Sequence, residues 1–358
     1  MCREYLYSLA TDKKKGFFAN TIKFFLFILS LVYGLSVRIL FLFYRIKPCK
    51  LNCKVISVGN ITLGGTGKTS LVQLLAEFLK EAGYRIAVLS RGYRRPFSRH
   101  PSFGLSYETM GDEAYMLSRN LDNIAVIVDK DRIRAAQKAI RDYKVDSVIL
   151  DDGFQQWRIK KDLDIVTIDA TNPLGNSHLL PRGIMREPLS SLKRADIFIL
   201  TKVNLKSDNQ RIKELLNNIN PEVPIIEALY EPAGFYKIGR LRDNLLEPHE
   251  FLNKRVTLVC GIADPQSFEN IITKLGINIG LSFRFADHHI YTEKDFDKII
   301  SESKQKGISI IITTEKDSVR FINLRHLLLN MDCFVLRIRL ELLQYESFIE
   351  RIHSLYQS

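Results

Sequence analysis

Apolar strand runs alternate with helix patterns from Val55 onward, a glycine-rich turn joins the first strand to its helix, and a later apolar run ends in two carboxylates. Together these predict an α/β protein with a P-loop NTPase-type, mostly parallel sheet flanked by helices. A smaller C-terminal α/β domain and an N-terminal apolar, membrane-anchoring helix complete the expected architecture. At 358 residues the chain has room for two domains and a well-buried core. The expected limits are residues 1–46 for the helical segment, 47–235 for the P-loop domain and 236–358 for the C-terminal domain.

The N-terminal segment carries no charge from Phe24 to Val37, and beyond Arg38 it is apolar again to Tyr44. As one helix that stretch is roughly 31 Å long, about one hydrocarbon thickness. Lys13, Lys14, Lys15 and Lys23 precede it, and Arg45, Lys47 and Lys50 follow. A signal peptide cleaved near Gly34-Leu35-Ser36 would export a nucleotide site away from its nucleotide. A buried core helix is the bland alternative. An anchor, monotopic or single-pass, fits the aromatic-rich body, the basic ends and a snorkelling Arg38 best. Positive charge at both ends leaves the orientation open.

Val55 to Gly59 reads as a strand, Asn60 to Gly67 as a turn, and Leu71 to Leu79 as a helix. Gly64, Gly65 and Gly67 admit backbone angles closed to other residues, so successive N–H groups can converge on phosphate oxygens. The helix start adds its positive end. In such a loop Lys68 reaches the β- and γ-phosphates, and the Thr69 hydroxyl ligates Mg²⁺. The usual G-x-x-x-x-G-K-[ST] spacing puts glycine at position 62, where this chain has Thr62.

A second strand, Arg85 to Ser90, ends in a loop bearing Arg91, Arg94, Arg95 and Arg99. Open α/β sheets bind ligands at that edge, although a solvated basic loop reads the same. Gly111-Asp112-Glu113 opens a helix, in which Asp112 could simply be a cap. Ile124 to Val128 is a strand, and Asp131-Arg132 starts a helix running to about Tyr143. Val148-Ile149-Leu150-Asp151-Asp152 then looks like a Walker-B element, a buried strand delivering an acid to the metal. Alone, Asp-Asp-Gly would be read as a turn; behind a phosphate loop the metal reading is favoured.

Asp164 to Asp169 and Asp196 to Thr201 supply further strands, with a long loop from Thr171 to Pro188 between them. Thr201-Lys202-Val203-Asn204 resembles a guanine-reading motif but has Asn204 in place of the acid, which points toward ATP. Residues 230–255 are rich in turn formers, which suggests a domain boundary near 235. Strands at Val256–Cys260, Ile308–Ile312 and Cys333–Ile338 follow, with a helix capped by Asp264 ahead of Pro265. Asp287-His288-His289 has no Cys and no helical partner, a pattern more often surface than zinc.

With 46% hydrophobic and 26% charged residues the composition is globular. The formal charge of +12 asks for an anionic partner. No zinc-finger spacing, RRM signature or long basic run accompanies it, so nucleic acid is not expected. Cys2, Cys49, Cys53, Cys260 and Cys333 are odd in number and form no metal spacing, so free thiols are expected.

The ordered set G-N-I-T-L-G-G-T-G-K-T, S-R-G-Y, G-D-E, D-D-G-F-Q, L-L-P-R-G-I-M-R-E-P, D-H-H and T-E-K-D, behind an apolar N-terminus, resembles the tetraacyldisaccharide 4′-kinases. These membrane-associated enzymes phosphorylate the lipid A disaccharide, and the Thr62 departure is shared with them. The resemblance implies a P-loop kinase domain, a smaller α/β domain and an active site in the cleft between. Carried over by motif, Thr62, Leu63, Gly64, Gly65, Thr66, Gly67, Lys68 and Thr69 hold ATP, and Thr69, Asp151 and Asp152 surround Mg²⁺. Asp112 looks like the base for the sugar 4′-hydroxyl, with His288 pairing to it by closure of the two domains. Arg132, Gln155 and Arg186 lie near the phosphates or the lipid A disaccharide 1-phosphate. The chain would work at the cytoplasmic face of the inner membrane. Gln156 and Arg320 depart from the family pattern, where His and Lys are expected. A membrane-recruited switch ATPase is the rival reading, but such proteins carry lysine where this chain has Leu63; a soluble cofactor-synthesis kinase or ligase would have no use for residues 1–46.

Overall fold

The computed structural model describes residues 8–92, 107–206, 208–239 and 245–357. By internal contact the chain divides into two compact units. One comprises Met1–Arg91, Leu121–Tyr230 and Leu340–Ser358; the other comprises Gly92–Asn120 and Glu231–Arg339.

In the first unit β1 (Lys54–Gly59), β2 (Ile86–Ser90), β3 (Ala125–Val128), β4 (Ser147–Asp151), β5 (Leu163–Asp169), β6 (Ile197–Thr201) and the start of β7 (Ile225–Lys237) lie in the order β3-β2-β4-β1-β5-β6-β7. Neighbouring strands are parallel throughout. Runs such as Ile-Ala-Val-Leu-Ser and Ile-Phe-Ile-Leu-Thr are buried along their whole length, as a sheet covered on both faces requires. The helix Lys68–Glu81 buries Leu71, Val72, Leu75, Ala76 and Leu79, the one-sided spacing of an amphipathic helix. Each such leucine is worth about 1.5–3 kcal/mol of burial. The helix Arg132–Tyr143 covers the sheet with Ala135, Ala136 and Ala139, small residues packed with Leu89 and Leu150. Its N-cap is Asp131, whose carboxylate accepts from the N–H groups of Ile133 and Arg134.

Register places the chemistry. Val58 pairs with Asp151 across β1 and β4, so the glycine turn and the acid leave the sheet at one edge. Leu89 pairs with Leu150, which brings Ser90 beside Asp151.

The second unit has β8 (Arg255–Cys260), β9 (Asn278–Arg284), β10 (Ile310–Thr314) and β11 (Asp332–Leu342) in the parallel order β11-β10-β8-β9. Phe235, Phe251, Phe268, Ile272 and Leu336 pack together as one core cluster, and Tyr291, Phe296, Ile311 and Phe321 as another. Asp264 caps the helix Pro265–Lys274, and Thr314 caps Glu315–Arg320.

The boundary expected near 235 falls inside β7, whose Pro232 and Gly234 read as turn formers. Gly234 sits at φ 128°, and a Cβ there would lie 2.9 Å from the Leu246 carbonyl oxygen. The glycine therefore serves a close backbone approach within extended chain. The last helix, Tyr345–Gln357, belongs to the first unit because Phe348 and Ile352 are buried and Tyr356 stacks on Tyr84 at 3.9 Å.

The N-terminal helix runs from Phe17 to Ile46, longer at both ends than the apolar stretch alone suggested. It is long and apolar enough to cross a membrane. Most of it is exposed, Phe24, Phe25, Leu31, Leu35 and Leu42 included, which removes the buried-core reading. A narrow stripe of Ala19, Ser30, Gly34 and Val37 is buried. At Gly34 a Cβ would meet the Leu179 side chain at 2.7 Å, so glycine lets this helix lie against the 171–188 segment.

Candidate active site

The glycine turn is held from two sides within the first unit. Leu63 N–H donates to the Ile184 carbonyl and Arg186 N–H to the Ile61 carbonyl, both at 2.7 Å, so the 179–186 segment clasps the start of the turn. Underneath, the buried hydroxyls of Thr66 and Thr167 share a 2.8 Å hydrogen bond, and Thr201 Oγ1 donates to the Thr66 carbonyl at 3.1 Å. Thr62 and Thr66 are thus buried scaffold, while Leu63, Gly64 and Gly65 are exposed. Gly64 and Gly67 have φ of 124° and 84°, the left-handed side open to glycine. Gly67 is the N-cap of the Lys68–Glu81 helix, so free N–H groups and the helix dipole face the same point.

Lys68 Nζ lies 3.5 Å from Asp152 Oδ1. Arg186 Nη1 donates to both oxygens of Asp152 at 2.8 Å, and to Gln155 Oε1 at 3.2 Å. Gln155 Nε2 in turn donates to the Asn60 carbonyl at 3.0 Å and to Glu187 Oε1 at 2.9 Å. Burial pushes the Asp152 carboxyl up, but Lys68 and Arg186 outweigh it and hold the group below the usual carboxylate range. Asp152 has φ 55°, a conformation that asparagine and aspartate tolerate better than most.

Asp151 is buried and accepts from Ser90 Oγ at 3.1 Å. Arg132, expected near substrate, is buried; its Nη1 donates to the Asp129 carbonyl at 2.8 Å and its Nη2 to the Asp151 carbonyl at 3.0 Å. Burial pushes this guanidinium down to about 10. Its geometry suits aiming Asp151 more than reaching a ligand.

A second cluster lies wholly in the other unit. Asp112 opens the helix Asp112–Asn120, and its Oδ2 is 3.0 Å from His288 Nδ1. The same oxygen accepts from Arg320 Nε at 2.7 Å and is 2.6 Å from Arg320 Nη2. Domain closure had been expected to assemble the Asp112–His288 pair. Instead both residues sit in one unit, because Gly92–Asn120 packs with Glu231–Arg339. His288 has φ 62°, fixed by its N–H bonding the Gly261 carbonyl at 3.0 Å. His289 pairs instead with Asp295 at 3.0 Å and stacks on Phe285.

Sequence reasoning did not find Ser90, Glu187, Arg194 or Tyr230, and gave Arg320 no role. Ser90 was visible as the last residue of a strand, but only the β2–β4 register shows what it faces. Asn204, which stands where a guanine-reading motif has its acid, donates to the Tyr230 carbonyl at 3.1 Å. Arg91 is exposed; Arg94, Arg95 and Arg99 lie outside the described residues.

A glycine turn on a helix start, a lysine facing an acid, and a second acid on the adjoining strand define a P-loop nucleotide-handling protein. The family model described as tetraacyldisaccharide-1-P 4′-kinase matches residues 22–357. A tetraacyldisaccharide 4′-kinase of Halothermothrix orenii is 38% identical over 340 residues, 88% of each chain. That of Elusimicrobium minutum is 34% identical over 348 residues, covering 93% of this chain and 91% of the relative. A crystal structure of LpxK from Aquifex aeolicus in complex with ATP superposes with TM-score 0.73 at 26% identity, over 93% of this chain and 99% of that one. The chain belongs to the tetraacyldisaccharide 4′-kinase family.

Proposed function

We propose that this chain transfers the γ-phosphate of ATP to the 4′-hydroxyl of the tetraacyldisaccharide 1-phosphate precursor of lipid A. Family membership over residues 22–357 carries this reading. ATP in the Aquifex relative supports the donor.

On this reading the N–H groups around Gly64 to Thr69, with Lys68, hold the triphosphate. Mg²⁺ fits the donors present: the Thr69 hydroxyl and the oxygens of Asp151 and Asp152 are hard ligands. Among the described residues no group of three or more His, Cys, Asp or Glu could cage a metal ion. When bound, Mg²⁺ neutralises charge on the β- and γ-oxygens. Arg132 steadies the end of β4, while Gln155 and Arg186 stand at the phosphate end of the network.

Asp112 accepts the proton of the acceptor hydroxyl as that oxygen bonds phosphorus and ADP departs. His288 orients the carboxylate. The apolar helix keeps the protein where acyl chains stay in the bilayer, and ATP places the reaction on the cytoplasmic face. The test is incubation of the full chain with ATP and an acylated glucosamine disaccharide 1-phosphate, read by mass spectrometry. The expected product gains one phosphate at the 4′ position; nucleotide hydrolysis with unmodified lipid would instead favour a switch ATPase.

A further inference from the structure

Arg320 is a heavily engaged side chain of the second unit and has no part in the reaction as described so far. Its side chain is 2% exposed and lies between two carboxylates. Toward Asp112 it offers Nε and Nη2, both to Oδ2. Toward Asp317, which is fully buried, Nη1 donates to Oδ1 at 3.0 Å. Nη1 also donates to the Gly261 carbonyl at 3.0 Å, the carbonyl that fixes the His288 backbone. Asp317 is itself fixed by the N–H of Gly261 at 3.1 Å, by Tyr291 Oη at 3.0 Å and by Thr314 Oγ1 at 2.6 Å. A planar fork with five donors can serve Asp112, Asp317 and a carbonyl at once, which a single ammonium cannot.

The two oxygens of Asp112 are therefore unequal. Three nitrogens, two of Arg320 and one of His288, converge on Oδ2, and none of them is bonded to Oδ1. Resting on the reading of Asp112 as base, we infer that Arg320 is a positioning residue that locks Oδ2 and presents Oδ1 to the acceptor hydroxyl. It also explains the crowding around His288 Nδ1, which is 3.2 Å from Arg320 Nη2.

Among the described residues, the charged and titratable groups around this carboxylate are Arg320, His288 with Asp287 at 3.6 Å from its Nε2, Asp317 with Tyr291 behind the guanidinium, and the neighbouring Glu113–Lys316 pair at 2.8 Å. Burial pushes Asp112 up, while the His288 hydrogen bond and the Arg320 charge more than offset it and leave the group low. A depressed carboxyl is ionised, and so ready to accept a proton, down to acid pH. Removing Arg320 leaves burial less opposed, and the acid limb of the rate moves to higher pH.

The experiment compares the pH profile of kcat and the KM for ATP in the full chain, in Arg320→Gln and in Arg320→Lys, with Asp112→Asn alongside. Arg320→Gln is expected to raise the acid limb by about one to three pH units. Arg320→Lys keeps the charge but loses the fork, so the limb stays low while kcat falls about ten-fold or more. Neither variant changes KM for ATP. A folded Arg320→Gln with an unmoved limb would overturn the assignment; where that variant does not fold, a wild-type kcat in Arg320→Lys would do so. Full turnover in Asp112→Asn would instead remove the base reading itself, a separate failure.

Discussion

Gly67 bears the sharpest constraint of any single residue in the phosphate turn. It sits at φ 84°, and a Cβ there would lie 2.4 Å from Tyr230 Oη and 3.2 Å from Thr201 Cγ2. An L side chain in that conformation costs roughly 1–2 kcal/mol before any clash is counted. Gly65 differs, since it lacks positive φ and nothing lies within 4 Å of its Cβ position. Gly67→Ala is therefore expected to lower the melting temperature and to weaken ATP binding at least ten-fold by calorimetry, with Gly65→Ala much milder. Equal affinities for both variants would show that the turn is not shaped around this residue. Glycines at the turn were legible in the sequence, but Tyr230 was not, because its approach depends on β7 leaving β6 in register.

At the scale of elements, the helix Phe17–Ile46 does two things at once. Its exposed face offers phenylalanines and leucines outward. Its other edge touches the site network: Tyr33 Oη donates to the Arg186 carbonyl at 2.9 Å, and the Arg194 guanidinium lies 4.7 Å from the centre of the Phe41 ring. Arg194 Nη2 donates to Glu187 Oε2 at 2.9 Å, and Glu187 holds Gln155. Deleting residues 1–46 should move the protein from the membrane pellet to the soluble fraction after ultracentrifugation without detergent. A truncated chain that still sediments with membranes would assign the anchoring to another surface. The sequence gives away such a helix through its apolar run, but not its ends, because Phe17 to Lys23 mixes polar with apolar residues. Nor could it show that Gly34, in the buried stripe, lies against Leu179.

For the whole molecule, the sheet was legible wherever strands are buried on both faces, since Val148–Leu150 and Ile197–Leu200 are unbroken apolar runs and Val55–Val58 is interrupted only by Ser57. It was obscure at β7, where Pro232 and Gly234 interrupt the pattern, and at β9, where exposure alternates irregularly. The glycine turn of the site was legible because its residues are adjacent in sequence and carry a spacing. The Asp112 cluster was legible only in part: Asp112 and His288 came from short motifs, whereas Arg320 stood out as a departure without a partner. Its partners are up to 208 residues away in sequence, beyond the reach of any local pattern.

The account's central claim is that the triphosphate lies on the N–H groups around Gly64 to Thr69, with Lys68 turned from Asp152 toward its outer phosphates. A crystal structure of the full chain with a non-hydrolysable ATP analogue and Mg²⁺ tests it most directly. The account predicts β- and γ-phosphate oxygens within hydrogen-bond distance of those N–H groups and of Lys68 Nζ. A nucleotide bound elsewhere, or one that leaves the Lys68–Asp152 contact intact and the turn untouched, would contradict it.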